Sequence, residues 1–272
     1  MCGIFAHIQQ HSITDEEKEK LVKEFYKSQN RGPDNSQFVI YDNVFLGFHR
    51  LSINGIENGN QPMSLPEDDN VILLCNGEIY NYTQLGEQFG YTLTTGSDCE
   101  IILHLYKQFG CANMVSLLAG VFGFVIYDKT KNMIYAGRDP IGVRSLYIGT
   151  TSDNSSYTIA SEMKSIHEIS SNISQFPVGS IWDMDTTNFD LNTFTKYYNM
   201  DTIYNDTSLT TSEPPIIMDN IYTLLNKAVT KRLMSDKPIG CLLSGGFDSS
   251  IVAALLSKHF PPKKLKTFSI GL

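Results

Sequence analysis

The sequence predicts an α+β fold up to about residue 200, followed by the opening of a parallel α/β unit. Short β-rich runs alternate with a few helical segments as far as Tyr198. A polar, Thr- and Ser-rich stretch, Asp201–Pro215, then interrupts the pattern and indicates a linker. Beyond it, a strand, a glycine-rich turn, a helix and a second strand follow in the order of a parallel βαβ unit.

The β-rich runs of the first region predict its strands. Gln37–Tyr41 and Val44–His49 flank Asp42-Asn43, which is typical of a hairpin. Further strands are predicted at Val71–Cys75, Val121–Tyr127, Met133–Gly137, Leu146–Ile148, Tyr157–Ala160 and Ser180–Asp183.

Two capping boxes predict helices in the same region. Thr14-Asp15-Glu16-Glu17 precedes an apolar stripe that starts at Leu21, and Ser97-Asp98-Cys99-Glu100 precedes one that starts at Ile101. Both stripes have the i, i+4 spacing of an amphipathic helix.

The second region begins with a helix and continues with strand Ile239–Leu243, helix Ser249–His259 and strand Lys266–Ile270. A lone βαβ piece cannot bury both faces of its sheet. We therefore expect this region to belong to something longer or to be completed by a partner. The apolar stripe of its first helix comprises Ile217, Ile221, Leu224, Leu225, Ala228, Val229 and Leu233.

Composition excludes several classes of protein. With 272 residues, the chain is long enough for one large domain or two ordinary ones, and its 42% hydrophobic and 18% charged residues are typical of a globular protein. The net charge of −8 disfavours nucleic-acid and anionic-membrane surfaces. No apolar run approaches the roughly 20 residues that span a bilayer, and the start is too short for a signal peptide. We expect no nucleic-acid partner and no membrane partner.

The cysteines indicate a reduced, cytoplasmic protein. They are odd in number, scattered and free of any C-x-x-C pair, so they predict neither a disulfide framework nor a zinc site. His7 and His11 are four residues apart without a third ligand nearby, and we expect no bound metal in this region. The five cysteines are Cys2, Cys75, Cys99, Cys111 and Cys241.

Cys2 is a candidate nucleophile. Removal of Met1 would give Cys2 a free α-amine beside its own thiol, and an α-amine has an ordinary pKa of about 7.7–8.0. The amine can then take the thiol proton directly or through one water. A Met-Cys start by chance is the alternative that the dipeptide alone leaves open.

The glycine-rich turn between the strand and helix of the second region predicts a phosphate site. Backbone N–H groups and the helix dipole converge there, and glycines allow close approach. The turn lacks the lysine of a Walker A loop, but its S-G-G-x-D-S string resembles the pyrophosphate loop of enzymes that adenylate a substrate and release pyrophosphate. A plain turn with Ser249 as N-cap is the alternative. The turn reads Leu242-Leu243-Ser244-Gly245-Gly246-Phe247-Asp248-Ser249-Ser250.

Together, the Met-Cys-Gly-Ile start and the S-G-G-x-D-S loop resemble the glutamine-hydrolysing asparagine synthetases. This resemblance implies a four-layer αββα sandwich of the N-terminal-nucleophile hydrolase class over residues 1–205. It also implies an incomplete beginning of an α/β ATP-pyrophosphatase domain over residues 206–272. Further matching strings are Arg31-Gly32-Pro33-Asp34, Arg50-Leu51-Ser52-Ile53, Asn76-Gly77-Glu78-Ile79-Tyr80-Asn81, Gly96-Ser97-Asp98-Cys99-Glu100, Gly137-Arg138-Asp139-Pro140-Ile141-Gly142, Ala160-Ser161-Glu162-Met163-Lys164 and Phe176-Pro177-Val178-Gly179-Ser180.

The resemblance implies roles in glutamine hydrolysis, a half-reaction without a cofactor. The Cys2 thiolate would attack the side-chain amide of glutamine, and the Asn76 amide with the Gly77 N–H would stabilise the oxyanion. Glycine at 77 would also let the backbone approach closely. A hairpin turn at Asn76-Gly77 is the structural alternative, compatible with that role.

The remaining glutamine-binding residues follow from the same resemblance. Arg50 would clamp the α-carboxylate as a planar fork, and Asp98 would hold the ammonium. Arg50 as a strand-edge arginine and Asp98 as an acid favoured by a helix dipole are the alternatives. Arg31 would order the N-terminal residue, and the Arg138-Asp139 pair would brace the fold or act in chemistry. The rest of the implied set is Leu51, Ser52, Ile53, Asn54 and Glu78.

The resemblance also implies an ATP site with Mg²⁺ in the second region. Ser244, Gly245, Gly246, Asp248 and Ser249 would bind the pyrophosphate part. Leu243 and Ile270 match positions that pack around adenine, and they are equally ordinary core residues at strand ends.

The sequence departs from the family pattern without losing a polar catalytic group. Asn54 stands where Val or Ile is typical, Phe247 replaces leucine and Ser145 replaces proline. The expected reaction of the parent protein converts glutamine, aspartate and ATP to asparagine, glutamate, AMP and pyrophosphate. This chain would supply the glutaminase half. A homodimer is left open. The alternatives are a β-lactam synthetase-like relative and a non-catalytic paralogue.

Overall fold

A computed structural model describes residues 1–200 and 213–271, and the chain divides into two compact units after Met200. The first unit contains two six-stranded sheets with antiparallel neighbours. Its strands are β1 (Gly3–Gln9), β2 (Asn35–Tyr41), β3 (Val44–Arg50), β4 (Met63–Leu65), β5 (Asp68–Ile79), β6 (Gly120–Asp128), β7 (Met133–Arg138), β8 (Tyr147–Thr150), β9 (Ser156–Ala160), β10 (Asn172–Gln175), β11 (Ser180–Asp185) and β12 (Asn192–Lys196).

Three α-helices accompany these sheets: α1 (Asp15–Tyr26), α2 (Tyr82–Phe89) and α3 (Glu100–Leu117). The last is interrupted at Gly110, where φ is 71° and ψ is 168°. Short 3₁₀ turns occupy Gln29–Arg31 and Met163–Ser165. The first sheet has the strand order β10-β8-β9-β1-β3-β2, and the second has the order β12-β11-β7-β6-β5-β4.

The two sheets pack face to face. Alternate residues of a strand point to opposite faces, so Ile4 of β1 lies between the sheets with Leu74 of β5, whereas Phe5 lies on the outer face of the first sheet. Helix α1 covers that outer face through Phe25, and α3 covers the outer face of the second sheet through Ile101. The layers are therefore α, β, β, α, which confirms the predicted four-layer sandwich.

One of the two predicted capping boxes is confirmed, and the other is wrong. Thr14 caps α1 with the reciprocal bonds of a capping box, Glu17 N to Thr14 Oγ1 at 3.3 Å and Thr14 N to Glu17 Oε2 at 2.9 Å. The second box does not form. The α3 cap at Cys99 lacks a side-chain hydrogen bond, because the Glu100 carboxylate turns back and accepts from the Thr94 and Thr95 N–H groups.

The Asn76-Gly77 hairpin turn is also wrong. Both residues lie inside β5, opposite Gly123 and Phe122 of β6. The strand continues through them to Ile79 because its pairing with β6 extends from Val71 to Ile79.

The described part of the second unit contains α4 (Pro214–Thr230), β13 (Gly240–Leu242), α5 (Phe247–Ser257) and β14 (Lys266–Phe268). The two strands pair in parallel, which confirms the predicted βαβ order. Ile270 is 99% exposed, so its interpretation as a core residue is wrong. Most of the predicted linker, and the predicted domain boundary after residue 205, lie outside the described residues; Pro214 and Pro215 already belong to α4.

Candidate active site

A cavity of about 270 Å³ in the first unit is lined by residues of both sheets. It brings together nearly all residues predicted for glutamine hydrolysis. Ser52 is not among its lining residues, and its backbone N–H donates to Asp34 Oδ2 at 2.8 Å. The predicted residues that line the cavity are Cys2, Arg50, Leu51, Ile53, Asn54, Asn76, Gly77, Glu78 and Asp98.

Cys2 lines this cavity and is held in place by its neighbours. Its Sγ accepts from the Leu51 N–H at 3.4 Å, and its carbonyl oxygen accepts from Arg31 Nε at 2.7 Å. Arg31 therefore orders the N-terminal residue, as the resemblance implies. Burial raises the pKa of the Cys2 thiol, and burial lowers the pKa of the Met1 amine beside it. A nearby base is thus needed to produce the thiolate at neutral pH.

Asn76 presents an unpaired donor to the cavity. The side chain is 2% exposed, and its Nδ2 has no hydrogen-bond partner among the described residues. A buried, unpaired amide donor costs free energy of roughly 1–3 kcal/mol. Such a group is suited to an oxygen atom that arrives with the substrate and becomes negative during reaction.

The outer edge of β5 offers backbone groups at alternate residues. Both backbone groups of Cys75 are taken by the Gln61 side-chain amide, at 2.6 and 3.1 Å. The Ile79 N–H donates to Asp98 Oδ2 at 2.7 Å. Gly77 lies between these two residues on the same edge.

The strand register shows where the Gly77 N–H points. Phe122 lies opposite Gly77 on β6. The Phe122 carbonyl accepts from the Asp139 N–H at 2.8 Å, and the Phe122 N–H donates to Asp139 Oδ2 at 3.2 Å. Gly77 and Phe122 therefore form a non-hydrogen-bonded pair, and the Gly77 N–H faces the cavity beside Asn76. A Cβ at position 77 would lie 2.5 Å from the Val121 carbonyl oxygen. The neighbouring strand, rather than room for a substrate, thus requires glycine here.

Arg50 holds the loop that forms one wall. Its Nη1 donates to Ile56 O at 3.1 Å and to Asn60 Oδ1 at 2.7 Å. Its Nη2 donates to Asn54 O at 3.1 Å and to Gly55 O at 2.6 Å. The guanidinium has five N–H groups, so these four contacts leave Nε as the remaining donor.

Asp98 lines the same cavity as a buried carboxylate, 4% exposed. Burial raises the pKa of Asp98 to about 6, although hydrogen bonds from the Ile79 N–H and from Asn54 Nδ2 act in the opposite direction. The carboxylate is therefore charged at neutral pH and uncharged below about pH 6.

Arg144 is a site residue that the sequence does not mark. Its Nη2 contacts Glu78 Oε1 at 3.1 Å, and it lines the cavity near Cys2. The Arg144 backbone is held by the neighbouring Arg138-Asp139 pair. Asp139 accepts from the Arg144 N–H at 3.1 Å, and Arg138 Nε donates to the Arg144 carbonyl at 2.8 Å. The Arg138-Asp139 pair therefore braces the fold. The other lining residues, for which the sequence predicts no role in glutamine binding, are Met1, Phe48, Gly59, Gln61, Cys75, Ser97 and Cys99.

The glycine-rich loop of the second unit suits a phosphate. Helix α5 begins after Gly246 without a side-chain cap, and Gly245 has a φ of 83° with open space where a Cβ would stand. Ser244 Oγ lies 3.0 Å from Ser249 Oγ and accepts from the Gly246 N–H at 3.4 Å. Asp248 and the hydroxyls supply oxygen atoms of the kind that Mg²⁺ prefers.

Leu243 lies at the end of β13, and its N–H donates to Phe268 O at 2.8 Å. Over residues 1–200 and 213–271, no group of three or more His, Cys, Asp or Glu side chains is arranged to hold a metal ion. None of the helices in those ranges is long and apolar enough to cross a bilayer.

Two family models match the chain. The model described as "Glutamine amidotransferase domain" matches residues 1–213, and the model described as "Asparagine synthase" matches residues 220–272.

Curated relatives match along almost the whole chain. A probable asparagine synthetase [glutamine-hydrolyzing] of Dictyostelium discoideum is 39% identical over 264 residues, covering 95% of this chain and 46% of that protein. The relative of Schizosaccharomyces pombe with the same description is 37% identical over 266 residues, covering 95% and 45%. Asparagine synthetase [glutamine-hydrolyzing] 2 of Arabidopsis thaliana is 36% identical over 281 residues, covering 100% and 46%. The chain spans about half the length of these relatives.

Solved structures share the fold. The glutamine phosphoribosylpyrophosphate (PRPP) amidotransferase from B. subtilis, complexed with ADP and GMP, matches with a TM-score of 0.60 and 19% identity. The match covers 98% of this chain and 65% of that chain.

Proposed function

The chain belongs to the glutamine amidotransferase domain family, and we propose that its first unit hydrolyses L-glutamine to L-glutamate and ammonia at Cys2. One observation supports this proposal most directly. The Cys2 thiol shares a cavity with the buried, unpaired Asn76 Nδ2 and with the cavity-facing Gly77. A nucleophile and two convergent donors are the minimum that acyl transfer from an amide requires.

The reaction proceeds in two displacements. After removal of Met1, the Cys2 α-amine takes the thiol proton, and Sγ attacks the side-chain carbonyl carbon of glutamine. The carbonyl oxygen becomes an oxyanion held by Asn76 Nδ2 and the Gly77 N–H. The C–N bond breaks, the nitrogen accepts the proton from the α-amine and leaves as ammonia, and a glutamyl thioester remains. Water then attacks the thioester, releases glutamate and restores the thiol.

Charged side chains select the α-amino acid end of glutamine. The Asp98 carboxylate attracts the ammonium, and Arg50 supplies the positive charge for the carboxylate through its remaining donor. Leu51, Ile53, Asn54 and Glu78 complete the wall around them. Ser52 contributes through the backbone turn that Asp34 holds rather than through the cavity surface.

We further propose that the longer protein transfers this ammonia to aspartate activated by ATP, producing asparagine, AMP and pyrophosphate. The S-G-G-x-D-S loop would hold the pyrophosphate part at the uncapped start of α5, and Leu243 with Ile270 would contact the adenine. Mg²⁺ bound with ATP would neutralise phosphate charge beside Asp248. A cytoplasmic location, indicated by the unpaired cysteines of the sequence, and a homodimer are part of this proposal.

The purified chain should release glutamate from glutamine, and the Cys2→Ala variant should not. Intact mass establishes whether Met1 has been removed, and circular dichroism establishes that both chains fold. A folded, processed chain without Cys2-dependent turnover would contradict the glutaminase proposal. That outcome would favour the alternatives, a non-catalytic or a β-lactam synthetase-like relative.

A further inference from the structure

Asn54 contacts both charged residues that are proposed to recognise the amino-acid end of the substrate. Its backbone carbonyl accepts from Arg50 Nη2 at 3.1 Å. Its side-chain Nδ2 donates to Asp98 Oδ1 at 3.2 Å. Asn54 also lines the cavity.

These contacts form a continuous hydrogen-bonded path between the two sheets. Arg50 ends β3 in the first sheet, and Asp98 accepts from the Ile79 N–H at the end of β5 in the second. Asn54 is the link in the loop between them. An apolar side chain at this position would keep the carbonyl contact with Arg50 and lose the contact with Asp98.

Asn60 provides an internal comparison in the same loop. Its Oδ1 accepts from Arg50 Nη1 at 2.7 Å. Both asparagines therefore support Arg50, whereas the Asn54 side chain also contacts Asp98. Substitution of Asn60 therefore affects the contact with Arg50, whereas substitution of the Asn54 side chain affects the contact with Asp98.

We propose that the Asn54 side chain is a positioning residue that fixes the Asp98 carboxylate relative to Arg50 and thereby sets the preference for a substrate with an α-ammonium group. This inference rests on the proposed glutaminase function. The amide donor occupies one carboxylate oxygen and the Ile79 N–H occupies the other. The carboxylate is thus held in one orientation before the substrate arrives.

The same contact affects the protonation of Asp98. The Asn54 hydrogen bond lowers the pKa of this buried carboxyl, and nearby Glu78 raises it. The other titratable or charged groups that line the cavity are Arg50, Arg144 with its partner Glu78, the N-terminal amine, and the thiols of Cys2, Cys75 and Cys99. Loss of the Asn54 donor should therefore move the acidic limb of the kcat/KM profile for glutamine to higher pH.

The test compares L-glutamine with glutaramate, which is glutamine without its α-amino group, in the full chain. Ammonia release gives kcat/KM for each substrate, and their ratio measures the preference for the ammonium. Asn54→Leu should lower this ratio at least about tenfold, as expected for a lost hydrogen bond to a charged group. Asn60→Leu should change the ratio by less than about twofold, because its side chain does not reach Asp98.

Asn54→Asp is a second, nearly isosteric variant that keeps the fold if Asn54→Leu does not. It removes the donor and adds a like charge beside Asp98, so it should raise the pH of the acidic limb. In a variant that still turns over glutamine, an unchanged ratio for Asn54→Leu or an unchanged acidic limb for Asn54→Asp would overturn this inference alone. An equal fall in Asn60→Leu would also overturn it, whereas absence of turnover in the parent chain would overturn the proposed function first.

Discussion

The proposed stabilisation of the oxyanion depends on one atom of the buried Asn76 amide, Nδ2. Because Nδ2 has no partner among the described residues, removal of this donor should lower the folding stability of the free enzyme only slightly. In the transition state, however, the donor would face a full negative charge, where such a group contributes about 2.7–4 kcal/mol.

Asn76→Ala should therefore lower kcat by roughly 10²–10³-fold while leaving KM for glutamine within a few-fold. Steady-state glutamate release over a range of glutamine concentrations separates the two parameters. A change confined to KM would indicate that Asn76 contributes to ground-state binding instead.

Asp98 gives the site a predicted pH dependence. Burial raises the pKa of Asp98 to about 6, so the carboxylate attracts an ammonium above that pH and is neutral below it. We expect kcat/KM for glutamine to fall as the pH decreases through about 6. The same profile with glutaramate should lack this limb, and identical limbs for both substrates would assign it to another group, such as the Cys2 α-amine.

At the residue scale, the resemblance identified which residues line the cavity, but not the hydrogen bonds that hold them there. Cys2, Asn76 and Asp98 share one cavity, but nothing local shows that Asp98 accepts from Ile79 or that Arg50 donates to four loop oxygens. Those contacts join residues 19 positions apart or depend on the exact path of a loop. Ser52 illustrates the difference, because a matching string does not reveal which of its side chains face the cavity.

At the scale of elements, β5 shows why the Asn-Gly signal failed. That dipeptide is a strong local signal for a hairpin, yet here it is paired along β6. Strand β1 escaped prediction for a related reason. All seven of its residues are buried, so it lacks the alternation of polar and apolar residues that marks a half-exposed strand.

Gly77 and Gly123 allow the packing of β5 on β6 to be tested with matched variants. A Cβ at 77 would meet Val121 O at 2.5 Å, whereas a Cβ at 123 would meet Leu146 at an ordinary 3.6 Å. Gly77→Ala should destabilise the first unit by about 1–3 kcal/mol and Gly123→Ala by clearly less. Urea unfolding followed by Trp182 fluorescence measures this, because Trp182 is the single tryptophan and is fully buried in this unit. Equal losses of stability would show that β5 and β6 move apart at Gly77 and accommodate the added Cβ without cost.

At the scale of the whole molecule, the two units differ in how well their apolar residues are buried. The first contains three clusters of buried side chains. In the second, α4 has no buried residue, and Met218 and Leu224 are 70% and 65% exposed. From this contrast we predict that residues 216–272 fold poorly in the isolated chain.

Hydrogen exchange in the 272-residue chain should separate the units. Amides of α4 and α5 should exchange much faster than those of β5 and β6, because few buried contacts oppose their local opening. Equal protection in both units, together with one unfolding transition that includes α4, would contradict this expectation.

The most direct test of the central claim is to trap the covalent intermediate. Acid quenching of the chain during turnover with glutamine, followed by peptide mass mapping, should find a glutamyl thioester on Cys2 of chains that begin at Cys2. The Cys2→Ala variant should carry no adduct. Glutamate release without an adduct at Cys2, or an adduct on Cys75 or Cys99 instead, would contradict the assignment of Cys2 as the nucleophile.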